Sequence, residues 1–344
     1  MKIAIDVMGG DFAPQNNIGG VKLALEALPK IEKLYLVGTP AVVEAELKRQ
    51  GVSSPKIQVV ASSQVVDMTD NGLATVRSKK DSSMSVAARL VRDKECEAVV
   101  SAGHTGAAVT AGTLIMGRIP GVDFPGIASP MPNEHGTCYI VDAGANPDAK
   151  AKHLVQYAIM GSVYTRHVHG RNNPIIGLMN IGEEEGKGNE LAREAADLLR
   201  KAPVNFHGNV EGHDLFETPL DVIVCDGFTG NVVLKTAEAT AKVVFKWVKA
   251  EMSSGSPLLR AWKKLGGALV RPYLRNVRAK GNYDTYGGSP LLGVKGVLII
   301  AHGSSSPLAI MNAIRVAGEA IEHHVGPHIE AAIQQHVLAE NASD

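Results

Sequence analysis

Cysteine is scarce in this chain. The three residues, Cys96, Cys138 and Cys225, are odd in number and far apart, so neither a disulfide framework nor a Cys-x-x-Cys metal clip can be read from them. Aromatic residues make up only 4%. Net charge is missing too: 35 Lys and Arg balance 35 Asp and Glu, which argues against a general nucleic-acid binder, whose basic residues would be in excess. With 45% hydrophobic residues, the chain is equally unlike a disordered polymer. No stretch matches the ~20 predominantly apolar residues of a membrane-spanning helix. The nearest approach is 98–117, which has no Asp, Glu, Lys or Arg. Its Gly103, Gly106, Gly112, Gly117 and His104 predict instead a buried strand, a Gly-rich turn and a buried helix of small residues. Asp6 falls where a secretory leader needs an apolar core, so a cytoplasmic protein is expected. The twelve histidines show no HExxH or comparable spacing. His323, His324 and His328 read as surface residues of a polar C-terminal helix, and no metal or cofactor is expected.

Glycine is the excess: 36 of 344 residues, against a typical ~7%. It recurs in one phrase, a short β-branched run ending in Gly, Asp or Asn. The phrase appears at 3–12, 34–39, 97–106, 137–146, 175–190, 222–231 and 297–305. Continuous apolar runs predict strands buried on both faces, as in parallel sheets. Helical patterns lie between them, at 82–92 behind Ser82 or Asp81 and at 189–200 behind Asn189. The alternation predicts an α/β/α sandwich with a mostly parallel sheet. It is read as one large domain over 1–344, or as two subdomains around a cleft.

Ligands of open α/β sheets bind beyond the carboxyl ends of the strands, where the glycines and polar residues gather here. Gly lets backbone N–H groups approach an anion, and a helix N-terminus adds a positive dipole end. Neither GxGxxG at a strand end nor GxxxxGK[ST] is present, which argues against the common nucleotide sites. A second feature is the stretch 252–283, free of acid, with Arg260, Lys263, Lys264, Arg271, Arg275, Arg278 and Lys280 among Leu258, Leu259, Trp262, Leu265, Leu269 and Leu274. It follows a helix predicted from Asn231 to Met252, with an apolar stripe of Ala237, Ala241, Val244 and Val248. The region 231–280 reads either as a segment lying on an anionic membrane or meeting an acidic partner, or as a dimer-forming helical pair.

Six strings occur in order along nearly the whole chain: IAIDVMGGDFAP (3–14), RSKKDSSM (77–84), SAGHTGA (101–107), NIGEEEGKGNE (180–190), VIVCDGFTGNVVLKT (222–236) and YGGSPLLGVKG (286–296). Together they resemble the bacterial phosphate acyltransferases of phospholipid synthesis, the PlsX family. The resemblance implies conversion of acyl-[acyl carrier protein] and inorganic phosphate to acyl phosphate and free carrier protein. It implies a fold shared with isopropylmalate dehydrogenase and phosphotransacetylase, a homodimer, and peripheral attachment to the membrane that holds a downstream glycerol-3-phosphate acyltransferase. One position departs from the pattern: His104 stands where the SAG-x-TG turn is expected to carry Asn.

Phosphate attacking a thioester asks for little acid–base chemistry, because phosphate is already an anion and a thiol, with pKa about 8.5, leaves readily. The site must hold the phosphate near the carbonyl carbon and stabilise an oxyanion. Lys187, between Gly186 and Gly188, is the first choice for a cation that holds phosphate or polarises the carbonyl. Asn231 offers an amide N–H, a helix cap, or both. Asp226 reads as an orienting group for Lys187 or as a turn former. Gly230 belongs to the same turn. Of Glu183, Glu184 and Glu185, at least one is expected to orient Lys187, with Glu184 assigned to the cleft. Ser101, Gly103, His104, Thr105 and Gly106 form a second donor-rich turn. Asp6, Gly9, Gly10 and Asp11 form a third, and Asp142 with Asn146 a fourth, and these turns are assigned together, with Gly230, to the substrate and phosphate cleft. Leu258, Leu259, Trp262, Lys263, Lys264 and Arg271 are assigned to membrane or carrier-protein contact, and Arg77, Lys79 and Lys80 also suit an acidic carrier. Cys225 lies in an apolar strand and reads as a small hydrophobe rather than a nucleophile. Three competing readings remain: a coenzyme A-dependent phosphotransacetylase, a metal- and NAD-dependent decarboxylating dehydrogenase of the same fold, and a non-catalytic membrane scaffold.

Overall fold

A computed structural model describes residues 1–67, 70, 72–254 and 283–341. The segment carrying Leu258, Leu259, Trp262, Lys263, Lys264 and Arg271 lies outside the described residues. The strands are β1 (Lys2–Asp6), β2 (Lys33–Gly38), β3 (Ile57–Ala61), β4 (Ala98–Ser101), β5 (Gly126–Asn133), β6 (Gly136–Val141), β7 (Ile175–Met179), β8 (Asn205–Val210), β9 (Val222–Val224), β10 (Ser289–Leu292) and β11 (Val297–Ile300). They form one sheet in the order β3-β2-β1-β4-β11-β10-β5-β6-β9-β7-β8.

Two parallel blocks make up this sheet. One is β3-β2-β1-β4-β11 and the other β6-β9-β7-β8. The antiparallel strands β10 and β5 join them. The seven β-branched runs all become parallel-block strands, because a strand covered on both faces must be apolar at every position. The side-chain period of two divides each run between two cores. Ala4, Val99 and Ile140 face one side of the sheet, while Ile3, Ile5, Val100 and Val141 face the other.

Helices cover both faces. One face carries α3 (Gly72–Ser78), α4 (Ser83–Arg92), α5 (Thr105–Ala111) and a π-helical turn (Gly112–Met116). The other carries α1 (Gln15–Ala27), α2 (Pro40–Gln50), α6 (Ala151–His169), α7 (Glu190–Leu199), α11 (Pro307–Glu322) and α12 (Val325–Asn341). The short helices α8 (Asp214–Glu217) and α10 (Tyr283–Tyr286) complete the described set with α9 (Gly227–Ser253). The result is the expected α/β/α sandwich. Among the described residues no helix is long and apolar enough to cross a membrane.

Ser82 caps α4 by accepting the Ser85 N–H, and Asn189 caps α7 by accepting the Ala192 N–H. Two local expectations change. The long helix starts at Gly227, four residues before Asn231, with Asp226 as its cap. The C-terminal histidines do not share one helix: His323 and His324 mark the break between α11 and α12, with His324 at φ 49°, and only His328 is helical. All three are exposed, as expected. Helix α9 leaves its apolar stripe largely open: Val244 is 45% exposed, Trp247 67% and Val248 38%.

Candidate active site

Three turns of the first block meet at its carboxyl edge. Asp6 ends β1 beside Ser101 at the end of β4. The Ser101 hydroxyl donates to Asp6 Oδ2 at 2.7 Å and accepts the Gly103 N–H at 3.1 Å. The two Gly turns touch backbone to backbone: a Cβ on Gly9 would come 2.8 Å from Gly103 N and 2.7 Å from Asp6 Oδ2, so only Gly fits. Gly10 has φ +107°, and the following Asp11 N–H donates to Gly303 O after β11, at 2.8 Å. Between these turns lies a cavity of about 10 Å³, lined by Asp6, Ser83, Ser101 and His104 among others. That is room for about one water. Among the described residues Asp6 Oδ1 has no partner in hydrogen-bond geometry. Burial pushes the Asp6 carboxyl above its ordinary range, against the pull of Ser83 and Ser101.

His104 is the cap of α5. Its Nδ1 accepts the Ala107 N–H at 3.1 Å, so the neutral ring carries its proton on Nε2. This accounts for the departure from Asn at this position, since Asn is a preferred cap and His does the same work with a ring nitrogen. Thr105 and Gly106 are the first two residues of that helix.

The second block has its own edge, formed by the parallel neighbours β6, β9 and β7. Asp142 is 0% exposed. Its Oδ1 accepts N–H groups from Ile127 (3.0 Å), Gly144 (2.9 Å) and Ala145 (2.9 Å), and its Oδ2 accepts that of Asn146 (2.7 Å). Burial still pushes its carboxyl up, with those four groups opposing. Asn146 is tied in the same way: its side-chain NH₂ reaches His153 Nδ1 and the Tyr157 hydroxyl, and its backbone carbonyl accepts the Gly227 N–H. Both side chains, assigned to the cleft from sequence, are therefore scaffold for the turn after β6. A Cβ on Gly230 would lie 2.0 Å from Asp142 O, so α9 begins in direct contact with that scaffold. Asp226 accepts the Thr229 N–H (2.9 Å) and hydroxyl (2.6 Å). Its carboxylate is occupied by capping and makes no described contact with Lys187. Asn231 stands in the first turns of α9, exposed, facing Gly144.

Lys187 projects from the loop after β7. Gly186 and Gly188 have φ +84° and +92°, and Asn180 Nδ2 donates to Lys187 O while Asn209 Nδ2 donates to Glu184 O. The Lys187 ammonium is half exposed and 3.9 Å from Glu184 Oε2, so Glu184 is the acid of the triplet that stands beside it. Glu185 turns away to Arg200 at 3.0 Å. Because β9 lies between β6 and β7, this loop is one strand over from Asp226, and strands are spaced about 4.8 Å apart.

Helix α9 connects the two edges. It starts at Gly227 on the second, and its Lys235, Glu238 and Lys242 act electrostatically on His302 at the first. Burial, helped by the two lysines, holds the His302 imidazole below its ordinary range. Neither His302 nor Asn17 was singled out from sequence. Buried Asn17 donates to Val7 O and Gly9 O and so holds the β1 turn. A lone Asn inside a helical pattern carries no signal of that task. Burial raises all three thiols, Cys96 to about 12 and Cys225 well above its ordinary range, which leaves Cys225 no nucleophile. One trio among the described residues, Glu183, His213 and Asp214, has potential metal-ligand atoms within 4.8 Å of one another. Asp214 already accepts from the Thr218 hydroxyl and the Glu211 N–H.

Residues 1–327 match the family model described as fatty acid synthesis protein. Over 336 residues the chain is 48% identical to a protein of Akkermansia muciniphila named phosphate acyltransferase, covering 96% of this chain and 95% of that one. A protein of the same name from Bacillus pumilus is 42% identical over 342 residues, 99% of this chain and 100% of the other. Among solved structures, a phosphotransacetylase from Streptococcus pyogenes superposes with a TM-score of 0.61 at 16% identity, covering 94% of each chain. A branched-chain phosphotransacylase from Enterococcus faecalis gives 0.57 at 13%, with 94% and 100% covered. At such identities these two structures speak for the fold alone.

Proposed function

The chain belongs to the fatty acid synthesis protein family, and from that premise we propose that it transfers an acyl group from acyl-[acyl carrier protein] to inorganic phosphate, releasing acyl phosphate and the free carrier thiol. The observation that carries this reading is what stands at the strand ends: a half-exposed ammonium and neutral donors, with the one nearby thiol buried and unreactive. Such a site suits a substrate that supplies its own nucleophile. A phosphate oxygen attacks the thioester carbonyl carbon, the C–O bond forms, and the carbonyl oxygen becomes an oxyanion. The tetrahedral species collapses with cleavage of the C–S bond, and the electron pair leaves on sulfur. Lys187 holds phosphate or balances the oxyanion, and the Asn231 amide and His104 Nε2–H serve as neutral donors. Asp226 caps the helix that carries Asn231, and Asp142 holds the turn against which that helix starts.

The product feeds phosphatidic acid synthesis at the membrane, and the protein works as a homodimer attached peripherally to it. The exposed Val244, Trp247 and Val248 of α9 support an unfilled partner face. Replacing Lys187 tests the chemistry. An exposed ion pair at 3.9 Å contributes about 0–1 kcal/mol, so Lys187→Ala is expected to keep its thermal midpoint. Loss of one transition-state charge partner is expected to slow thiol release about 10²- to 10³-fold. Normal turnover in the variant would remove Lys187 from the mechanism. A wild-type protein that releases thiol only from acyl-coenzyme A would remove the carrier-protein reading.

A further inference from the structure

On the face covered by α3, α4 and the π-helical turn lies an open pocket of about 510 Å³, outside both strand edges. Its floor is apolar, made by Val76, Ile115 and Leu114, the last of them 54% exposed. Around the floor stand four cations, Arg77, Lys80, Arg89 and Arg92, and among the described residues no acidic side chain lines the pocket. Asp81 lies 3.7 Å from Arg89, and Asp93 pairs with Arg92 at 2.8 Å. Four cations against those two carboxylates leave the patch at +2 in a chain of zero net charge. Among the described residues Arg77 and Lys80 form no ion pair, so their charges are available. The fold edits the sequence grouping of Arg77, Lys79 and Lys80. It withdraws Lys79, held by Asp70 at 2.7 Å and Asp67 at 3.7 Å, and adds Arg89 and Arg92 from the neighbouring helix.

Two short helical paths link the pocket to the candidate site. Helix α3 begins against the His104 turn, since a Cβ on Gly72 would come 2.5 Å from the Gly106 carbonyl carbon. Val76 and Arg77 lie about 6–8 Å further along that helix, at 1.5 Å per residue. By the other path, α5 and the π-helical turn run from Thr105 to Leu114, about 14 Å. A thioester on a flexible arm, attached to something seated in the pocket, needs to span only that distance to reach the strand-end donors.

We propose that this pocket is the docking surface for the protein that carries the acyl thioester. An acidic helical face straddles the basic rim, and one apolar side chain enters between Val76, Leu114 and Ile115. This rests on the reading above that the acyl donor is a carrier protein. The arrangement of an apolar centre and a charged rim is that of a protein interface, where rim charges steer encounter. A small nucleotide would instead call for converging polar groups and an aromatic wall, and among the described residues no aromatic side chain lines this pocket.

The test compares Arg77→Glu/Lys80→Glu and, separately, Leu114→Glu with wild type, measuring thiol release with phosphate from three donors of equal acyl length. These are acyl-[acyl carrier protein], acyl-coenzyme A and the acyl thioester of a small neutral thiol. The expected result is a fall in kcat/KM of at least about tenfold with the carrier protein in both variants. The double variant should also lose the salt dependence of that rate. Turnover of the small neutral thioester stays unchanged, which also reports that the variants are folded. An unchanged kcat/KM with the carrier protein, or an equal loss with all three donors, would overturn the docking surface. A loss confined to acyl-coenzyme A would make the pocket a nucleotide site and overturn it as well. If wild type releases no thiol from the carrier protein ester, the proposed function fails first and this surface with it.

Discussion

Replacing Asp142 by Asn separates a scaffold carboxylate from one that meets substrate. The wild-type group is fully buried and accepts four backbone N–H groups, three on Oδ1 and that of Asn146 on Oδ2, with the Ala145 N–H shared between the two oxygens. An Asn amide oxygen in the Oδ1 position keeps the first three. Its NH₂ then faces the Asn146 N–H, donor against donor, and one buried donor is orphaned. Loss of a hydrogen bond to a charged group costs about 1.5–3 kcal/mol, and an orphaned buried donor about 1–3 kcal/mol. The neutral amide recovers part of the desolvation that pushes the Asp142 carboxyl up, so the net loss is about 2–4 kcal/mol. At about 2.1 cal/mol/K per residue of unfolding entropy, a chain of 344 residues loses about 3–6 °C in thermal midpoint. The assay is circular-dichroism melting, paired with thiol release well below the midpoint. Turnover per folded molecule is expected to stay within a few-fold of wild type, because no Asp142 oxygen is left for a ligand. An unchanged midpoint with abolished turnover would refute the reasoning and return Asp142 to the reacting groups.

Gly230→Ala forces a Cβ to within 2.0 Å of a backbone oxygen, a contact that cannot be relieved by a side-chain rotation. It is expected to cost about 3 kcal/mol in urea unfolding, and a wild-type midpoint would mean that α9 does not start against the turn after β6. For Asp6, burial raises the folded pKa. The stability linked to its proton is therefore fully present below the unfolded value of about 3.9 and is lost as pH rises through the folded pKa. Asp6→Asn removes this titration, so its melting midpoint relative to wild type is expected to improve between acidic and neutral pH. A pH-independent difference would count against the raised carboxyl.

The difference between legible and illegible elements is physical. Runs such as IAID and VIVC had to become parallel strands, since only burial on both faces uses an apolar residue at every position. Strand β5 contains Pro130 and Pro132, and β10 contains Pro290, which masks a strand pattern and suits the antiparallel seam between the blocks. Strands β3 and β8 sit at the two ends of the sheet, half exposed, and lack a continuous apolar run. At the start of α9 the sequence offers Asn231 as the cap, yet Asp226 takes that place. The choice follows from Thr229, which supplies Asp226 with two donors, and from the small Gly227 and Gly230, which let the helix start against the turn after β6.

The candidate site divides along the same line. By itself the sequence determined which turns carry donors and cations, because Gly, Asn, Ser and Lys at strand ends are local chemistry. It also determined the family, through strings spread over most of the chain. Only the tertiary structure decided which carboxylates face inward. Asp6, Asp142 and Asp226 look alike in sequence, yet each accepts from groups brought from elsewhere in the fold or from the turn it closes: Ser101, on one oxygen of Asp6 only, the Ile127 and Asn146 amides, and Thr229. It also joined Arg77 and Lys80 to Arg89, Arg92 and Leu114 around one pocket. Local preference sets what a residue can do, but its partners are chosen by packing, which brings together segments that the sequence keeps far apart.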